Sequence, residues 1–299
     1  MQRAIIITPK AFLYETITTE NSCTYGSKIT DELLSGWIVS VQEQQGNYLK
    51  VVTHYGYGGW LRQSDTREIS PGECQLWQQI FQNSVPSFQE EFCLKPPASG
   101  NLPTAVIRRG MIDILEKPKV QSDILSTLFL GSPVLLCGYS TNGWQKVQTA
   151  EGSQGYVPSC ALLYPEEREY TQAGVRFCAI NYAKSYLGAS YRWGGKTQMG
   201  IDCSGLTFMS YYMCGILIYR DAAIVEDYPV HEIPISQIKP ADLLYFPGHI
   251  ALYLGDGKYI HSTGNPNSFG CVINSLNPQD CDYRSDLAEN IIAVGSVFL

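Results

Sequence analysis

The sequence predicts an α+β protein: two small β-barrels, one a copy of the other, followed by a domain of helices and a sheet. Three observations carry this reading. Short alternating strands split by Gly and Asn recur at a fixed offset in the N-terminal half. A glycine-rich loop then runs straight into a cysteine and an apolar helical stretch, YRWGGKTQMGIDCSG over residues 191–205 and LTFMSYYM over 206–213. Beyond it lies a hairpin-like stretch with a histidine at either end, His249 and His261.

Composition narrows the function classes. A chain of 299 residues with 44% hydrophobic content can bury two or three separate cores. A net charge of −7 argues against nucleic acid or an anionic membrane as partner. No run approaches the ~20 apolar residues of a membrane span, and the four-residue apolar stretch near the start is short for a secretory signal. The ten cysteines show neither a CxxC pair nor a zinc-ligand spacing, so no metal is expected, and no other cofactor is implied. Setting Cys203 aside leaves an odd number, which fits reduced thiols in a cytoplasmic protein; the alternative is an exported chain whose signal peptide has been removed.

Taken in order, the first set of strands reads LSGWIV at 34–39, NYLKVV at 47–52 and YGGWL at 57–61. The second reads FLGSPV at 129–134, GWQKVQ at 143–148 and SQGYV at 153–157. The offset is 95 residues at Gly36/Gly131 and 96 at Tyr48/Trp144, Val51/Val147 and Trp60/Tyr156, as one inserted loop residue would give. Each copy suits a small barrel, over residues 1–70 and 104–165. Between them, apolar residues at 76, 77, 80 and 81 have helical spacing within 73–81. The Pro/Gly/Ser-rich stretch 95–103 then reads as a linker, closing an insert over 71–103.

The last domain is expected over 166–299. Val175, Ala179, Tyr182, Ala183 and Tyr186 mark an amphipathic helix ending at Gly188. Cys203 falls at the N-terminus of the next helix, where unpaired N–H groups and the macrodipole favour a thiolate. A thiolate nucleophile needs an imidazole to take its proton and return it to the leaving group. His249 supplies one, and the order cysteine on a helix, histidine on a strand is that of papain-like enzymes. In the hairpin, a two-residue Asp256-Gly257 turn would put His249 and His261 on opposite faces. A three-residue loop, Gly255–Gly257, pairs Leu254 with Lys258 and puts both on one face, and is the expected form. Asp202 suits either a helix cap or a partner for a substrate ammonium. Tyr191 and Trp193 suit either core or cleft, and His54 and His231 read as surface residues.

The residues YRWGG at 191–195, IDCSG at 201–205, ADLLYF at 241–246 and the two histidines resemble the NlpC-type cysteine peptidases of bacterial cell-wall metabolism. With two SH3-type barrels in front, the whole chain is similar to the YkfC-like γ-D-glutamyl-L-diamino acid endopeptidases. The resemblance implies a papain-like (NlpC-type) domain behind two small SH3-like β-barrels. It implies hydrolysis of the γ-D-glutamyl bond to diaminopimelate or lysine in peptidoglycan peptides with a free N-terminal L-Ala. Cys203 would be nucleophile, His249 base and His261 the orienting third member. Tyr191 would help bind the oxyanion, Asp202 and Ser204 would hold the substrate ammonium, and Trp193 would contact substrate. Glu32 and Tyr57 of the first barrel would line the cleft. Two departures stand out: Ala222, where relatives often carry serine, and Ala241 in place of glycine before Asp242, a change expected to be structurally mild.

Overall fold

The computed structural model describes residues 2–20, 23–78 and 104–298. Their contacts divide into two compact units, one of residues 2–78 with 104–168, the other of 169–298. Residues 79–81 of the expected helix and the expected linker at 95–103 lie outside the described residues.

The first unit is a duplicated antiparallel sheet. One copy comprises β1 (Arg3–Ile6), β2 (Lys10–Glu20), β3 (Cys23–Leu34), β4 (Ile38–Gln45), β5 (Tyr48–Thr53), β6 (Gly58–Arg62) and β7 (Thr66–Glu68), followed by helix α1 (Pro71–Gln78). The other comprises β8 (Thr104–Ile107), β9 (Met111–Leu115), β10 (Ile124–Phe129), β11 (Pro133–Leu136), β12 (Trp144–Gln148), β13 (Gln154–Pro158) and β14 (Leu162–Leu163). The strand orders are β3-β2-β6-β5-β4-β1-β7 and β10-β9-β13-β12-β11-β8-β14, the same order twice. Among the described residues the outermost strands of each sheet do not pair with each other. Each copy is therefore an open seven-stranded sheet among the described residues, where the sequence predicted a small barrel.

The duplication extends to single hydrogen bonds. Gly36 N–H donates to Ile6 O at 2.9 Å, and Gly131 N–H to Ile107 O at 2.9 Å. Both glycines are left-handed, at φ +84° and +92°, which is why this turn keeps glycine in each copy. The copies also meet at this turn. Trp37 donates its indole N–H to Gly131 O at 3.2 Å. A Cβ on Gly36 would sit 2.5 Å from the Pro133 ring. Trp77 and Cys74 of α1 fill one shared core with Ile5, Ile38, Ile69 and Ala150. His54 is packed edge-on to Trp37 and Tyr55, with ring centroids 5.1 and 4.9 Å away, and is not the surface residue expected.

The second unit begins with α2 (Gln172–Lys184), capped by Thr171, whose hydroxyl accepts from Gly174 N–H at 3.1 Å. It buries Val175, Ala179 and Ala183. The two-residue strands β15 (Lys196–Thr197) and β16 (Gly200–Ile201) pair with each other and lead into α3 (Cys203–Tyr212), all ten of whose residues are buried. A six-stranded antiparallel sheet follows: β17 (His231–Glu232), β18 (Leu243–Phe246), β19 (His249–Gly255), β20 (Lys258–Thr263), β21 (Gly270–Ser275) and β22 (Ala293–Ser296). A short helix, α4 (Ser285–Ala288), precedes the last strand, and the order is β17-β22-β18-β19-β20-β21.

Asp242, at the mouth of β18, is buried and anchors the sheet to α2. It accepts from Arg176 at 2.9 Å, from the Ser296 hydroxyl at 2.8 Å and from Lys239 N–H at 2.7 Å. Beside it Ala241 sits at φ +75°, a left-handed conformation that costs an L residue roughly 1–2 kcal/mol. The alanine is thus less mild there than the sequence suggested.

The β19–β20 turn has only two residues, Asp256 and Gly257, with φ +51° and +72° as in a type I′ turn, and Gly255 pairs with Lys258. A bulge between Tyr253 and Gly255 restores the register Leu252↔Ile260. Both histidines consequently share a face. The route is a bulge, not the expected three-residue loop.

Candidate active site

The loop before α3 is built by glycines that no other residue could replace. A Cβ on Gly205 would lie 2.2 Å from Gly195 O, and one on Gly195 would lie 2.2 Å from Gly200 O. The Gly194-Gly195 turn therefore lies directly on the first turn of α3 and holds Cys203 from one side. Asp202 caps the helix, accepting from Gly205 N–H at 2.6 Å. Its other oxygen accepts from Gly194 N–H at 2.7 Å.

Cys203 is 7% exposed. The backbone N–H groups of Ile250 and Ser204 bond to its sulfur and lower its pKa, but burial and the Asp202 charge outweigh them and push the thiol up to about 11. The thiolate favoured by the helix N-terminus is not the resting form. Desolvation wins over the dipole here. Because Ile250 follows His249, the sulfur rests against the start of β19.

His249 Nε2 lies 2.7 Å from His261 Nδ1, and His261 Nε2 lies 2.8 Å from Asn274 Oδ1. Asn274 donates its amide N–H to the Asp282 carbonyl at 2.8 Å, which fixes which of its side-chain atoms is the oxygen. Every proton in the line follows. His261 carries its hydrogen on Nε2, His249 carries its hydrogen on Nε2, and His249 Nδ1 is left with a lone pair. Burial lowers both imidazoles, His249 to about 3 and His261 to about 4. At neutral pH the site holds a thiol and two neutral rings.

The other expected residues are placed as follows. Tyr191, bridged to Ile201, has a phenol held up by burial first and further by the Cys203 sulfur and the Asp202 carboxylate beside it. Its ring stands 6.3 Å from that of Phe269, with Gly264 packed against it. Trp193 is 68% exposed and is not core. Ser204 is buried and donates towards Asp202 at 3.4 Å. Asp202, expected to hold a substrate ammonium, to cap the helix or to do both, is also paired end-on with Arg220 through two bonds of 3.1 and 3.0 Å. Arg220 also donates to Ser204 Oγ at 2.6 Å. Glu32 and Tyr57 belong to the other unit. There Glu32 is buried and ion-paired with Lys10, and Tyr57 closes a turn with Thr53.

Two residues escaped the sequence reading. Arg220, 2% exposed, appeared only as a neighbour of Ala222, although an arginine just after the apolar run GILIY was a signal of a buried ion pair. Asn274 gave no signal, because the six-residue connection before β21 hides the strand register. Among the described residues no group of side chains could hold a metal ion, and no helix is long and apolar enough to cross a membrane.

Comparison with known proteins agrees with this geometry. The family model described as the NlpC/P60 family matches residues 188–280, which span Cys203, His249, His261 and Asn274. Dipeptidyl-peptidase 6 of Lysinibacillus sphaericus is 36% identical over 278 residues, 91% of this chain and 93% of the relative. A γ-D-glutamyl-L-lysine dipeptidyl-peptidase of Bacillus cereus is 27% identical over 80% of this chain and 68% of its own length. The crystal structure of an NlpC/P60 family protein from Bacillus cereus superimposes with a TM-score of 0.72 over 99% of this chain and all of that one, at 19% identity, and so shares the fold. With the thiol, the histidine line and a relative matched almost end to end, the chain belongs to the NlpC/P60 family of cysteine peptidases.

Proposed function

We propose that the protein hydrolyses the γ-D-glutamyl bond to a diamino acid in peptidoglycan peptides, acting as a dipeptidyl-peptidase on short fragments with a free N-terminal L-Ala. The observation that carries the chemistry is the line Asn274–His261–His249 beside a thiol at a helix N-terminus. The substrate class is supported by relatives named γ-D-glutamyl-L-lysine dipeptidyl-peptidases. The requirement for a free N-terminus is supported by the name dipeptidyl-peptidase, which denotes release of a dipeptide. Cytoplasmic recycling of such fragments is the corresponding role, and the two N-terminal sheets are read as SH3-type units despite their open edges.

In this reading Cys203 is the nucleophile. Its sulfur passes a proton to His249 Nδ1 and attacks the γ-carbonyl. The imidazolium is held by its Nε2–H bond to His261, which Asn274 keeps in the accepting tautomer. Tyr191 and backbone N–H groups at the start of α3 serve the oxyanion. His249 then returns the proton to the leaving amine, the thioester forms, and water deprotonated by His249 releases the dipeptide. Asp202 and Ser204, fastened by Arg220, form the wall beside the thiol, and a substrate ammonium would share Asp202 with that guanidinium. Trp193 offers an apolar face to the peptide. Glu32 and Tyr57 remain candidate substrate contacts from the first sheet.

The test is a mass-spectrometric digest of L-Ala-γ-D-Glu-diaminopimelate and its N-acetylated form by wild type and Cys203→Ala. Cleavage of the free-amine peptide alone, lost in the variant, is expected. Equal cleavage of both would move the substrate to intact wall, and cleavage of neither would sink the peptidase reading.

A further inference from the structure

The duplicated unit holds the same aromatic face twice, with Tyr48 buried at one end of it in the first copy and the matching Trp144 only half-buried in the second. In the first copy Tyr48, Lys50 and Trp60 share the outer face of β5 and β6, with Lys50 opposite Trp60. In the second, Trp144, Lys146 and Tyr156 occupy the equivalent places on β12 and β13, with Lys146 opposite Tyr156.

Lys50 stays exposed and Trp60 half-buried in the first copy, but its own chain covers the Tyr48 end of the face. Strands β2 and β3 run on for 11 and 12 residues and fold over it. The Tyr14 ring stands edge-on to Tyr48 at 6.0 Å, Gly26 donates its N–H to the Tyr48 hydroxyl at 2.8 Å, and Arg62 donates to the same oxygen at 3.3 Å. Tyr48 is left 1% exposed. In the second copy the matching strands β9 and β10 have only 5 and 6 residues. Leu115 stands opposite Tyr156 where Tyr14 stands opposite Trp60, and Pro158 replaces Arg62. What remains is a cleft of about 480 Å³ lined by Trp144, Tyr156, Lys146, Asn142, Thr141 and Tyr139, the last 90% exposed.

We propose that this cleft is a second binding site, which takes a short extended peptide bearing free carboxylates. Its shape and chemistry both select that class. The Tyr48 end of the face in the first copy is covered by extended polypeptide. Trp144 is a donor only and Lys146 is a cation, so the pair asks for acceptors, whereas Tyr48 accepts. Among the described residues no acidic side chain lines the cleft. A carboxylate would therefore meet Lys146 without competition while the peptide stem lies along the rings.

The choice of probe rests on the substrate class proposed above, but the readout does not depend on turnover. Full-length Cys203→Ala labelled with ¹⁵N at its indoles is titrated with L-Ala-γ-D-Glu-diaminopimelate, the Trp144 and Trp193 signals being assigned by Trp144→Phe and Trp193→Phe. A saturable shift of Trp144 is expected, weakened at least tenfold by Lys146→Glu and by amidation of the peptide's carboxyls. A shift of Trp193 without Trp144 would overturn the cleft and leave the peptidase reading standing. A Trp144 shift given equally by uncharged chitotriose and indifferent to Lys146→Glu would also overturn it, in favour of a glycan. Silence at Trp193 with a shift at Trp144 would count against the substrate contact there and for the cleft.

Discussion

Asn274 Oδ1 accepts the Nε2–H of His261 at 2.8 Å, and that one bond dictates where the protons lie on both histidines. Asn274→Leu removes the acceptor and frees His261 to carry its hydrogen on Nδ1, facing His249. Turnover should fall roughly tenfold to a hundredfold, by analogy with the loss of an outer partner from a metal-bound imidazole, with KM little changed. Steady-state kinetics on folded protein checks this. An unchanged kcat alongside a lower melting temperature would make Asn274 merely structural.

The neutral resting site has its own signature. With the thiol pushed up to about 11, alkylation of Cys203 by iodoacetamide should rise about tenfold per pH unit from neutrality towards that value. Peptide mapping separates Cys203 from the exposed Cys160 and Cys281. A rate that is already flat at pH 7 would mean a preformed thiolate and contradict the burial argument.

Stability should also follow pH. Above about 6.5 both imidazoles are neutral in the folded and unfolded chain alike. As pH falls, the unfolded chain takes up protons at the ordinary value while the fold resists until about 3 for His249 and 4 for His261. Stability from these rings is therefore intact above about 6.5 and is lost as pH falls towards 3. Urea midpoints at pH 7, 5 and 4 should drop less steeply in His249→Gln than in wild type, and identical slopes would refute the assignment.

The Asp202–Arg220 pair is buried, so breaking it from one side leaves an uncompensated charge. Arg220→Met should cost about 3–5 kcal/mol in denaturant unfolding. Asp202→Asn combined with Arg220→Met should recover part of that loss, since the amide still caps α3. Simple additivity of the two changes would show that the ion pair is not coupled.

Much of this was legible in the chain because it depends on short-range constraints. Cys203 was visible from the glycines that precede it, and the duplication from turn residues such as Gly36 and Gly131. The shared face of His249 and His261 was expected, though through a three-residue loop. The bulge that produces it was not, because Asp256 and Gly257 accept a tighter turn than the spacing implied. Arg220 and Asn274 were missed for a common reason. Each matters through a partner whose position is set by packing, 18 residues away for Asp202 and 13 for His261. The thiol's protonation was misjudged because a helix N-terminus can be read from sequence, whereas the depth of burial that opposes it cannot.

The turn around Gly36 and its counterpart at Gly131 make the N-terminal half an assembly as well as a repeat. Trp37 caps a carbonyl of the other copy, and α1 completes a core to which both copies contribute. The second copy packs a core of its own around Ile107, Val134 and Val157, but the core under α1 draws on both copies, so the pair corresponds to a dimer written into one polypeptide. The two sheets should melt as one cooperative block. A fragment holding a single copy would expose Trp37 or the Pro133 turn to solvent and gather into aggregates. Gene duplication here would have fixed the subunits at equal stoichiometry, and left one of the two aromatic faces free to diverge.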